Sequence, residues 1–126
     1  MSVHVLDASA FGALIFNEPL SENVARALSA GNIIAPYLLM FEISSICLKK
    51  IKAHPENKEQ ILRAFNLVPR FAIKYTIVDH ISVIKLALET GLTIYDTSYL
   101  WLAINVQGNL VTLDKKLQKV YSHLTK

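Results

Sequence analysis

Four short runs, at 3–6, 32–35, 74–78 and 109–112, are largely apolar and rich in β-branched residues, and helix-length segments separate them. Strands joined through helices cannot pair as hairpins, so this alternation points to a parallel sheet covered by helices on both faces. The helix signals have clear punctuation. A helix after Ser9 is expected to stop near Pro19, and a second to run over 20–29 and close at Gly31. A long helix is expected to open at Pro36 and end near His54 and Pro55, followed by another over 56–67. Two more are expected over 80–90, ended by Gly91, and 97–106. The 126 residues are 52% hydrophobic, enough for one real core and too apolar for disorder. The expected fold class is α/β: a single three-layer domain over 1–126, with a central, mostly parallel sheet of four to five short strands.

Four of the ten acidic residues fall inside or against apolar segments instead of on polar faces. Asp7 interrupts VHVLDASAF, Glu42 interrupts LLMFEISSICL, Asp96 interrupts LTIYDTSYLWLAI, and Asp114 follows NLVTL. Removing a carboxylate from water costs several kcal/mol unless a partner compensates it. The neighbouring stretches offer no fixed cation. A divalent ion would supply the missing positive charge, and hard oxygen ligands suit magnesium or manganese. Asp7 and Asp114 fall at or just past the carboxyl ends of expected parallel strands, the rim where open α/β sheets place their ligands. Glu42 lies on the helical stripe of Leu38, Ser45, Ile46 and Lys49, and Asp96 is expected to begin a helix. Four acids far apart in sequence are thereby able to converge.

Taken singly, each aspartate also fits an ordinary helix N-cap: Asp7 before ASAF, Asp96 before TSYL, Asp114 before KKL. Glu42 fits none, being flanked by Leu39, Met40, Phe41 and Ile43, although Lys49 or Lys50 is within pairing range. The net charge of +3 favours a polyanionic partner, and more so once four acids are committed to one site. Lys49, Lys50 and Lys52 form one basic cluster, and Lys115, Lys116 and Lys119 another. Lysines in a last helical turn also serve simply to offset the helix dipole. The single cysteine, Cys47, excludes an intrachain disulfide and reads as a small buried hydrophobe, and no Cys/His cluster suggests zinc.

The segments VLDASAFGALIFNEP, APYLLMFEISSICLKK, LTIYDTSYLWLAI and LVTLDKKL, in this order and spacing, resemble the PIN-domain family. The likeness is strongest to its small VapC-type members, the toxins of prokaryotic toxin–antitoxin pairs, and it runs essentially the whole length. The resemblance implies a metal-dependent endoribonuclease using Mg2+ or Mn2+, with Asp7, Glu42 and Asp96 as direct or water-mediated ligands. Asp114 would complete the charge and orient the attacking water. Ser9 and Thr112 match the hydroxyl residues the family places beside its first and last aspartates. Lys49, Lys50, Lys115 and Lys116 are the candidate RNA contacts. Trp101 is read as core or interface, Tyr37, Tyr95 and Tyr99 as packing near the site, and the four histidines as without chemistry.

The same resemblance implies a cognate antitoxin covering the acidic pocket, and the apolar stretch over 33–51 suggests surface for that peptide or for a homodimer. With no basic leader before an apolar run and no spanning segment, the expected location is the cytoplasm, without a membrane partner. A phosphorelay receiver would require paired acids after the first strand, and a haloacid-dehalogenase-type phosphatase a second aspartate at Ser9, so both fail on residue type. The alternative from another class is a PIN-like module that binds RNA or protein without cutting, its acids serving as caps.

Overall fold

The computed structural model describes residues 2–126; Met1, within the expected domain span, lies outside the described residues. Four strands, β1 (Val3–Leu6), β2 (Asn32–Pro36), β3 (Ile73–Thr76) and β4 (Asn109–Val111), pair in parallel in the order β3-β2-β1-β4. Val5 of β1 stands opposite Ile34 on one side and Leu110 on the other. His4, Val5 and Leu6 are buried in succession, as a strand covered on both faces requires. Among the described residues seven α-helices surround the sheet: α1 (Ala8–Ile15), α2 (Ser21–Ala27), α3 (Leu38–Ala53), α4 (Lys58–Phe65), α5 (His80–Thr90), α6 (Ile94–Asn105) and α7 (Lys115–Leu124). This is the expected α/β class, with the lower of the expected strand counts.

Strand order positions the site. The chain steps outward from β1 to β2 to β3, then returns past both to lay β4 on the free side of β1. β1 is thereby flanked by β2, the next strand in the chain, on one side and by β4, the last, on the other, and the carboxyl ends beside such a reversal of strand order are where open α/β sheets form their ligand crevice. Asp7 follows β1 directly and its amide donates to Val111 O at 3.2 Å; Asp114 lies three residues beyond β4.

Most expected helix and strand boundaries hold within a few residues, and the departures have local causes. Pro36 ends β2, opposite Thr76, instead of opening α3; a proline without an N–H is tolerated at a strand end. The helix expected over 56–67 is split, because Pro55 starts a 3-10 turn (Pro55–Asn57) before α4. The third strand is displaced toward the N-terminus, leaving Ile77 exposed in the following loop. Gly31 enters β2 at φ 108°, and a Cβ there would lie 2.2 Å from Ser2 O, so only glycine fits. Gly91 ends α5 in the left-handed conformation at φ 75°, as its position past the last apolar turn suggests.

The core is assembled from Val5 and Leu6 of β1, Phe11 of α1, Leu39 and Ile43 of α3, Val83 of α5, Tyr99 and Leu100 of α6, and Leu117 of α7. Each large side chain so buried contributes roughly 1.5–3 kcal/mol. Phe11 meets Phe71 edge-to-face with centroids 5.4 Å apart, and Cys47 is buried, as a small hydrophobe would be. Trp101 is partly buried against this core. No helix among the described residues is long and apolar enough to cross a membrane.

Candidate metal centre at the carboxyl end of the sheet

Asp7 is the most constrained of the four acids. It is buried, caps α1 by accepting from Ala10 N at 3.0 Å, and accepts from Ser9 Oγ at 2.8 Å through the same Oδ1. Its other oxygen accepts from Thr112 Oγ1. The two hydroxyls are oriented from behind: Leu113 N donates to Ser9 Oγ at 2.9 Å, and Asp114 N to Thr112 Oγ1 at 3.0 Å. With each oxygen accepting from an amide, each hydroxyl proton is left for Asp7. Ser9 and Thr112 thus lock the end of β1 to the end of β4 and hold one carboxylate between them. Despite three donors, burial outweighs hydrogen bonding and pushes Asp7 up to about 6 from 3.8, with Asp96 adding repulsion.

The remaining acids surround this anchor. Glu42 is half-buried on α3, on the stripe the sequence suggests; a cavity of about 280 Å3 is lined by Leu38, Phe41, Glu42, Lys49 and Tyr95, with Ala8 at its inner edge. Its Oε1 accepts from Tyr99 Oη at 2.6 Å. Desolvation raises Glu42 above the usual carboxylate range, the Tyr99 bond opposes this, and Asp96 reinforces it. Asp96 is raised first by burial and then by Asp114, while Lys116 pulls it back. Asp96 therefore feels or is felt by each of the other three acids.

Asp96 does not begin its helix. Thr93 is the N-cap, accepting from Asp96 N at 3.1 Å, so Asp96 stands as the third residue of α6 with its carboxylate free of capping. Asp114 is a cap, accepting from Leu117 N at 3.0 Å. Among the described residues, no group of three or more His, Cys, Asp or Glu side chains is arranged to hold a metal ion directly. Asp7, Glu42 and Asp114 each spend at least one oxygen on a protein donor. The donor set still fits a hard divalent cation: oxygens only, one of them nearly fully desolvated, and mutual repulsion that a cation would reverse. Magnesium keeps several waters and is commonly held through them, which widens the spacing the acids need.

The PIN domain family model matches residues 4–122. The chain belongs to the PIN domain family. A ribonuclease named VapC3 from Pyrobaculum aerophilum is 30% identical over 125 residues, covering 95% of each chain. Among solved structures, PAE2754 from Pyrobaculum aerophilum superposes with a TM-score of 0.74 at 22% identity, covering 98% of this chain and 95% of that one. VapC20 of Mycobacterium tuberculosis, described as a toxin cleaving the sarcin–ricin loop, gives 0.67 at 10% identity, covering 93% and 94%.

Within this PIN domain the lysines divide. Lys49 borders the cavity beside Glu42, and Lys116 lies close enough to Asp96 to lower its pKa. Lys50 turns away, bonded to Glu18 at 2.8 Å and set over the Phe16 ring at 5.2 Å; Lys115 is exposed at the start of α7. The pairing of Glu42 with Lys49 or Lys50 that the spacing allows is replaced by the Tyr99 bond. Tyr99 is core packing as expected, but Tyr37 and Tyr95 are more than half exposed; Tyr37 stacks on Tyr75 at 6.2 Å. Thr93 was not singled out from the sequence, and Tyr99, read there only as packing near the site, also donates to Glu42. The signals were a threonine three residues before Asp96, at capping distance, and a tyrosine one helical turn after it. A larger cavity of about 900 Å3 lies elsewhere, along the ends of α5 and α7 beside Glu89, Lys119 and His123, away from the converging acids.

Proposed function

We propose that this chain is a metal-dependent endoribonuclease of the VapC type, the toxin of a toxin–antitoxin pair. The observation that carries the reading is the convergence on Asp96, which repels Asp7 and Glu42 and is itself repelled by Asp114, beyond the carboxyl ends of β1 and β4. Asp96 raises the pKa of Asp7 and of Glu42, and Asp114 raises that of Asp96, so carboxylates from four separate parts of the chain meet in an arrangement that favours a cation. Similarity to the ribonuclease VapC3 and to the toxin VapC20 supports the same conclusion.

Magnesium or manganese, bound there, would neutralise the scissile phosphate, activate water and steady the leaving oxygen. The chain's own residues have separable tasks. Asp7, Glu42 and Asp96 would hold the ion, directly or through water, and Asp114 would complete the negative charge and orient the attacking water. Ser9 and Thr112 fix Asp7. Lys49, Lys115 and Lys116 rim the site and attract the phosphate backbone, whereas the ammonium of Lys50 is already held by Glu18.

The partners follow. An antitoxin segment would cover the acidic crevice with a basic side chain standing in for the cation. Of the apolar stretch over 33–51, Tyr37, Phe41 and Leu48 reach the surface and offer it a hold. Ile77, Ile81, Ile84 and Leu88 form an exposed ridge leading into and along α5, which the sequence reading did not single out and which suits a homodimer contact. Such a pair would work in the cytoplasm.

The second reading, a PIN domain that binds without cutting, is favoured by one observation: Asp7 and Asp114 already serve as helix caps. The deciding experiment is cleavage of a structured RNA with manganese or magnesium, with chelator, and with a folded Asp96→Asn variant. Metal-dependent cutting abolished in Asp96→Asn is the expected result. Absence of both cutting and metal binding would select the second reading.

A further inference from the structure

We propose that Tyr99 is a positioning residue for Glu42, its hydroxyl tethering α3 to α6 and fixing the carboxylate at the acidic site. The proposal rests on the metal-holding reading above and deepens it. Tyr99 is 1% exposed, and its Oη donates to Glu42 Oε1 at 2.6 Å. A phenol hydroxyl in a core is unfavourable without a partner, and phenylalanine would fill the same space without that need. Here the partner is a carboxylate, which makes the bond a strong, charge-assisted one.

Each of the other three acids is short or independently held. Asp7 has Ser9, Ala10 and Thr112, Asp114 has Leu117 N, and Asp96 sits in the first turn of α6. Glu42 has the longest side chain of the four, forms no ion pair among the described residues, and has Tyr99 as its side-chain donor. Because Tyr99 follows Asp96 by three residues on one helix, α6 carries both a site acid and the group that restrains the acid opposite. Oε2 is left for other work. Holding Glu42 in advance reduces what a bound cation must organise.

The test compares the parent protein with Tyr99→Phe and with Val83→Ala, a buried core substitution on α5, a helix that carries none of the four acids. Manganese affinity is measured by calorimetry, folding by thermal melting, and RNA cleavage as kcat and KM separately. Tyr99→Phe is expected to remain folded and to bind manganese about tenfold or more weakly, with kcat reduced and KM for RNA unchanged. Val83→Ala is expected to lower the melting temperature while keeping the parent's manganese affinity. Equal affinity in Tyr99→Phe, equal weakening in Val83→Ala, or failure of Tyr99→Phe to fold would each overturn the proposal while leaving the metal site standing. An absence of manganese binding in the parent would overturn the metal site and this proposal together.

Discussion

Replacing Asp7 by asparagine should separate stability from activity in opposite directions. The carboxylate is buried, and its pKa is about 6 in the fold against 3.8 for the free group. Because the folded value is the higher, the proton is bound more tightly in the native state. Stability from this group is full below about pH 4 and is lost as pH rises through 6. At roughly 1.4 kcal/mol per pH unit, the full difference is about 3 kcal/mol by pH 7.5. The asparagine cannot ionise and avoids that loss. Its Oδ1 can still accept from Ser9 Oγ and Ala10 N, but its amide would face Thr112 Oγ1, whose proton then lacks its acceptor. One compromised hydrogen bond costs about 1 kcal/mol. The net expectation in chelator at pH 7.5 is a gain of about 1–2 kcal/mol, or roughly 4–8 °C in Tm.

The assay is urea unfolding of parent and Asp7→Asn from pH 4 to 8, with chelator and again with manganese. In chelator the parent should lose stability across pH 4–7, and the variant should lose less, its residual slope arising from the raised Glu42 and Asp96. Manganese should restore the parent at neutral pH and leave the variant unchanged, while RNA cleavage by the variant is abolished. Parallel pH profiles, or a variant less stable than the parent in chelator at pH 7.5, would refute the argument that the Asp7 charge lacks compensation within the fold.

Asp114→Asn should keep the cap on α7, since asparagine caps as well as aspartate, so Tm should change little while RNA cleavage falls; a loss of several degrees would mean that its charge is structural. Thr112→Val removes both the donor to Asp7 and the acceptor for Asp114 N, and should cost about 2–3 kcal/mol in chemical denaturation together with a loss of cleavage. Gly31→Ala forces a Cβ against Ser2 O at positive φ and should destabilise by about 1–3 kcal/mol without altering manganese affinity, measured by melting and calorimetry. Lys50→Ala breaks a partly exposed ion pair and should cost less than about 1 kcal/mol, leaving RNA binding near the parent's.

The fold was legible because its strands are short, largely apolar runs rich in β-branched residues and its helices carry explicit stops, as at Gly91. What periodicity could not show was the order β3-β2-β1-β4, since each β–α connection reads alike whichever side its strand joins. The site draws on strands that are neighbours in that order but far apart in the chain. Asp7 and Thr112 are 105 positions apart, and their hydrogen bond exists only because β4 returns to the free edge of β1. The misplaced acids were visible one by one; the Tyr99–Glu42 bond, between two helices 57 positions apart in sequence, was not.

On the proposed function, the choice between cap and metal ligand, open at the level of sequence, is no opposition at two of these positions. An N-cap carboxylate uses one oxygen on a backbone amide and is fixed at the positive end of a helix dipole. At Asp7 and Asp114 the cap sets the side chain at the end of a strand, in the crevice where the opposing acids arrive. Capping thereby holds the carboxylates in place, and it is the burial and repulsion left unbalanced after capping that call for a cation. Asp96 shows the converse: Thr93 takes over the cap, and the aspartate keeps both oxygens for the site. A Thr93→Asp variant provides the check. It should cap α6 as well as threonine, keeping Tm within a few degrees, but place a fifth carboxylate one turn from Asp96. If the cap is only structural, manganese affinity should be unaffected; a change in that affinity at unchanged Tm would show that capping and ligation share one electrostatic balance, which is the outcome expected here.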